Sequence, residues 1–187
     1  VLVYLRISIY PQLDLISGFS AKSVASGHFI DNRSLETIQQ GDNDIEKVNW
    51  ATNQINDAEH FVTTTVYGFK ERKAIYREGL GATLINDDFD VSKPYKVPKR
   101  SITNNNLPFP YGNLEPRDTV FSNIDYKKLN TAVENAFDKK GEKNKRTRSV
   151  IVIYKDKIIA EKYVDGFNKD SKILGWSMTK SLTATYF

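Results

Sequence analysis

Apolar positions cluster unevenly along the chain, and the clusters differ in period. Val1 to Tyr10 is apolar apart from Arg6 and Ser8. Two readings compete for it: the tail of an N-terminal membrane anchor whose upstream half is missing, or a β-strand rich in branched side chains. Ten residues are too few to span a bilayer as a helix, which needs about 20, but Pro11 and a polar segment follow directly, which favours the anchor. Residues 11 to about 60 read as polar and irregular. One helix is predicted there, around Ile45 to Ile55, where Ile45, Val48 and Ile55 give partial helical spacing behind Asp42 or Asp44 as a cap.

Phe61 to Phe69 is dense in β-branched and aromatic residues and reads as a strand. Lys73–Tyr76 and Leu80–Ile85 read as further short strands around Gly79 and Gly81. Residues 87–117, punctuated by Pro94, Pro98, Pro108, Pro110 and Pro116, form a long surface connection. Beyond it, Ser122 with Asp125 three residues later has the form of a capping box. Tyr126, Leu129, Val133 and Phe137 follow at helical spacing, and Gly141 is a stop, so a helix is predicted over Ser122–Lys140. Ser149–Tyr154 is almost continuously apolar, as in a strand covered on both faces. Lys155-Asp156 turns the chain, and Lys157–Tyr163 pairs back as a hairpin. Helix, strand, strand is an α+β pattern, with helices flanking an antiparallel sheet.

Composition narrows the function classes. At 187 residues, 40% of them hydrophobic, the chain can bury a sizeable core. A mean hydropathy of −0.49 excludes a multi-span membrane protein. Much of the net charge of +4 sits in Lys139–Arg148. No aromatic residue interleaves with those charges to stack on bases, so the run is read as a solvated loop and no nucleic-acid partner is expected. Cysteine is absent, which removes disulfides, thiolate nucleophiles and Cys-ligated zinc. His28 and His60 are isolated in sequence and read as surface or capping residues, so neither a metal site nor a cofactor is expected.

The chemistry-bearing segment is Leu174-Gly175-Trp176-Ser177-Met178-Thr179-Lys180-Ser181. If Ser177 opens a helix, residues i and i+3 share a face and the Lys180 amine reaches the Ser177 hydroxyl. A serine hydroxyl needs an adjacent base to act as a nucleophile, and lysine serves only when its amine is neutral. Burial beside Trp176 and the positive end of the helix dipole would both favour that state. The Ser177 N–H would face an acyl oxyanion, and Met178 and Leu182 would hold the helix against the core. A bare Ser-x-x-Lys also arises by chance about once in a chain of this length, so its context decides.

That context resembles the class C β-lactamase and penicillin-binding-protein superfamily. Within it the likeness is to β-lactamase-related serine hydrolases and 6-aminohexanoate-dimer hydrolases, where a helix, a strand, a turn and a second strand precede Gly-Trp-Ser-x-Thr-Lys-Ser. The corresponding segments here are Ser122–Lys140, Ser149–Tyr154, Lys157–Tyr163 and Gly175–Ser181, and the run Ala74–Leu84 is also similar to bacterial members. The resemblance implies the N-terminal portion of a β-lactamase/transpeptidase-like fold over residues 61–187, incomplete, behind an N-terminal extension over residues 1–60. It implies that Ser177 is the acylated nucleophile and Lys180 its general base. The substrate class would be small ester, amide or lactam acyl compounds, and the location the bacterial cell envelope. In that family a Tyr-x-Asn and a Lys/His-x-Gly follow the nucleophile, and neither occurs between Ser177 and Phe187. Tyr126 and Tyr154 precede Ser177 and do not fill the tyrosine's role, so this chain alone is not expected to turn over substrate. The alternative is a non-catalytic, penicillin-binding-like envelope binding protein. Oligomeric state is left open.

Overall fold

The computed structural model describes residues 5–99, 101, 105–109, 111–116, 119–142 and 144–186. It is an α+β protein that divides into two compact units, Val1–Lys99 with Lys172–Phe187, and Arg100–Ser171. The boundary expected near residue 60 falls inside the first unit, between two strands that pair with each other.

The first unit is built on a long helix. Leu5–Ile9 forms a π-helical turn that runs directly into α1, Tyr10–Phe29. The strand reading of the N-terminus is therefore corrected for residues 5–10, and the irregular reading of residues 11–29 with it; residues 1–4 lie outside the described residues. No helix among the described residues is long and apolar enough to cross a membrane. Helix α1 escapes a hydrophobic-period search because its buried face is mostly small. Ser17, Gly18, Ser20, Ala21, Ser23, Ala25, Ser26 and Gly27 are buried there beside Leu13, Ile16 and Val24. A short helix, α2, follows at Leu35–Gln40, with the Ser34 hydroxyl accepting the Thr37 N–H at 3.2 Å.

Four strands form an antiparallel meander in the order β1-β2-β3-β4: β1 Ala51–Asn56, β2 Phe61–Val66, β3 Phe69–Arg77 and β4 Gly81–Ile85. The last three match the expected strands closely. The helix expected over Ile45–Ile55 is instead a 3-10 turn, Val48–Trp50, followed by β1. In β1 the residues alternate, Thr52 and Gln54 outward and Asn53 buried, a strand period carried by polar side chains. Strand β2 buries Val62, Thr64 and Val66 under α1. The core joins Ala21, Val24, Ala25, Ile38, Val62 and Ala74.

A polar knot crosses this core. Asn53 Oδ1 accepts hydrogen bonds from the Ser20 hydroxyl at 2.8 Å and the Thr64 hydroxyl at 2.6 Å, and Asn43 donates to Ser20 Oγ at 2.9 Å. All four residues are buried. Pairing of this kind is what makes burying polar groups tolerable. Between β2 and β3 the turn residues Tyr67 and Gly68 both have positive φ, 53° and 77°, as a two-residue hairpin matched to strand twist requires.

The second unit contains α3, Tyr126–Asn135, and the hairpin β5–β6, Ser149–Tyr154 and Lys157–Tyr163. Asp125, rather than Ser122, caps α3 by accepting the Lys128 N–H at 3.0 Å. The helix ends at Asn135, short of Lys140, and Gly141 (φ 88°) sits in a later turn closed by Glu142 N–H on Lys139 C=O. The expected Lys155-Asp156 turn is present, both residues having positive φ. Strand β5 departs from expectation: Ile151 and Ile153 are exposed, 47% and 55%, so one face is open rather than both covered.

Candidate functional site

Ser177 and Lys180 lie on one side of the last helical segment, with Lys180 Nζ 3.5 Å from Ser177 Oγ. That distance is at the outer limit of hydrogen bonding. The spacing therefore brings the two groups together as expected, while their surroundings differ from expectation. Ser177 sits inside a 3-10 turn, Trp176–Met178, and the α-helix proper, α4, begins after it at Thr179–Ala184. Six residues give little macrodipole, which grows from aligned peptides. Both side chains are exposed. Met178 and Leu182, expected to hold the helix on the core, are 69% and 64% exposed.

Trp176 anchors the segment. Its indole stacks on Phe19 of α1 with centroids 5.3 Å apart, although 61% of the residue remains exposed. Its φ is +45°, a region that costs a bulky L-residue on the order of 1–2 kcal/mol. The backbone is thus strained immediately before Ser177.

Two further groupings lie outside the Ser177 segment. On α1, Lys22 Nζ donates to Ser26 Oγ at 2.6 Å, and burial holds the Lys22 amine below the ordinary lysine range. The pair lines a cavity of about 400 Å³ with Ser23, Phe19, Leu84 and Trp176. The i, i+4 spacing of Lys22 and Ser26 is visible in the sequence, but it carries meaning only once a helix is assigned there. Elsewhere in the first unit, His28 and His60 meet around Phe29, with ring centroids 4.9 and 5.7 Å from it. His28 Nε2 is 2.7 Å from Asp57 Oδ1 and its Nδ1 is 3.1 Å from the Arg33 carbonyl. Both ring nitrogens are engaged with acceptors, which ties the end of α1 to the β1–β2 turn. The histidines are separate in sequence and neighbours in space.

The basic run is organised by one carboxylate. Asp138 accepts the N–H groups of Asn144 at 3.1 Å, Lys145 at 2.9 Å and Arg146 at 2.7 Å.

Fold and site together define an α+β protein with a helix over an antiparallel meander and an exposed serine–lysine pair shared between a 3-10 turn and the short helix α4. Comparison with protein-family models, with curated proteins and with solved structures returned no match.

Proposed function

We propose that this chain carries the nucleophile segment of a serine hydrolase that acts on ester, amide or lactam compounds through an acyl-enzyme. The observation that carries the reading is the 3.5 Å approach of Lys180 Nζ to Ser177 Oγ. The strained φ of +45° at Trp176 supports it, because backbone strain concentrates at functional sites. In the proposed step the neutral Lys180 amine takes the Ser177 proton as Oγ attacks the acyl carbon. The amine then returns that proton to the leaving group, and water releases the acid.

Activation of this kind needs the amine removed from water. With both side chains exposed, the 187-residue chain by itself is expected to show no ester turnover above background and no acylation burst. Stopped-flow assay with a chromogenic ester checks this, and a stoichiometric burst would contradict it. The hydrolase assignment is tested on the native protein by fluorophosphonate labelling. Labelling is expected to vanish in Ser177→Ala and to fall at least about tenfold in Lys180→Met, as for loss of a general base. Equal labelling of Ser177→Ala and the parent would rule the assignment out. The exposure of the pair favours a second reading, a non-catalytic binding protein of similar form, for which no variant would change labelling.

A further inference from the structure

We propose that the cavity beside Lys22 binds a small monocarboxylate with an apolar tail, the carboxylate held by Lys22, Ser23 and Ser26 and the tail by Phe19, Leu84 and Trp176. The site lies wholly within the first unit and is independent of whether Ser177 is a nucleophile.

Three observations converge. The cavity, about 400 Å³, is in the range of small-molecule sites, which are mostly apolar with a few placed polar groups. Lys22 is a half-buried cation whose hydrogen bond goes to a hydroxyl, Ser26 Oγ at 2.6 Å, and no carboxylate among the described residues pairs with it. A cation drawn out of water without an anion is unfavourable, and a bound carboxylate would supply the missing charge. The third observation is Ser23. Its residue is 6% exposed and its hydroxyl is buried with no hydrogen-bond partner. Elsewhere on α1 the Ser17 hydroxyl bonds back to the Leu13 carbonyl at 2.9 Å; Ser23, which lines the cavity, does not do the equivalent, so its hydroxyl is left unsatisfied beside it.

Geometry makes these groups one feature. Lys22 and Ser26 are i, i+4 neighbours on α1, and Ser23 and Ser26 are i, i+3 neighbours, so the ammonium and two hydroxyls form a single polar ridge. Three donors suit the two oxygens of a carboxylate, with charge-assisted bonds from the amine. A single cation does not balance a phosphate dianion. Across the cavity, the stacked Phe19 and Trp176 rings and Leu84 provide the apolar wall.

The test compares octanoate with 1-octanol, which share a tail and differ in charge. Binding to the 187-residue chain is measured by calorimetry, and by Trp176 fluorescence in a Trp50→Phe background, since the chain has two tryptophans. Octanoate is expected to bind at least about tenfold tighter than octanol, the scale of a charge-assisted hydrogen bond. Lys22→Met should remove that preference, and Ser23→Ala should weaken octanoate a few-fold. Ser177→Ala should bind octanoate as the parent does, which separates this site from the proposed nucleophile. Equal affinity for acid and alcohol, undiminished octanoate binding by a folded Lys22→Met, or no octanoate binding to folded parent protein would each overturn the proposal. The acid–alcohol comparison on the parent protein decides the matter even if Lys22→Met fails to fold.

Discussion

At Asp138, one carboxylate gathers three successive amides of a lysine- and arginine-rich loop, and those bonds, Lys145 first, hold its carboxyl below the ordinary carboxylate range. A depressed native pKa means that the unfolded chain binds the proton more readily. The contribution to order is therefore present above the unfolded value and lost as pH falls through the native one. Hydrogen exchange at Asn144, Lys145 and Arg146 should accelerate, beyond its intrinsic pH dependence, on acidification below the usual carboxylate range. Asp138→Asn should flatten that response. Asn53 presents the opposite situation, a neutral acceptor deep in the core. Its Oδ1 takes hydrogen bonds from both Ser20 and Thr64, so Asn53→Ala strands two buried hydroxyls and should cost about 2–3 kcal/mol in urea unfolding. Thr64→Val keeps the volume and removes one donor, and should cost about 1 kcal/mol. A loss for Asn53→Ala no larger than that of Thr64→Val would mean that the knot contributes little.

Helix α1 carries two buried glycines whose substitution should act in opposite directions. Glycine to alanine within a helix ordinarily gains up to about 1 kcal/mol. At Gly18 an added Cβ would lie 3.4 Å from Leu84 Cδ1, an ordinary contact, so Gly18→Ala should stabilise by roughly that amount. At Gly27 it would lie 2.8 Å from two carbons of Ile38, whose side chain is fully buried and has nowhere to go. Gly27→Ala should therefore destabilise by about 1–2 kcal/mol, the scale of overpacking. Thermal melts of the two variants would test the pair, and the same sign for both would refute the packing argument. These glycines also explain how much was legible beforehand. Strands β2 to β6 declared themselves through branched and aromatic residues, and the Lys155-Asp156 turn through its place between two such runs. Helix α1 did not, because serine, glycine and alanine bury by close approach and hydrogen bonding instead of by bulk. Strand β1 hides for a related reason: its inward residue is Asn53, and its period is invisible to a search for apolar side chains. The Ser177–Lys180 spacing could be read directly, but its exposure could not, since solvent access depends on what packs against α4. The Lys22 cavity was hidden with the helix that bears it.

On the scale of the whole molecule, the two units differ in how they bury surface. The first closes a helix over four strands, with Ala21, Val24, Ala25, Ile38, Val62 and Ala74 fully inaccessible. Among its described residues the second has only Val133 and Phe137 as buried apolar side chains, beside a two-stranded sheet, and two strands alone are marginal in water. Strand β5 there is six residues long, without charge, proline or glycine, and among the described residues it pairs on one side only. Such a segment can recruit its own kind, backbone to backbone, in the manner of a growing fibril. Concentrated solutions of the chain should therefore cloud with time, seeded from this hairpin. A single lysine at the outward position 153 should keep them clear at almost no cost to folding, because Ile153 is already more than half in water. Light scattering that climbs equally in parent and Ile153→Lys would place the source of the turbidity in another segment.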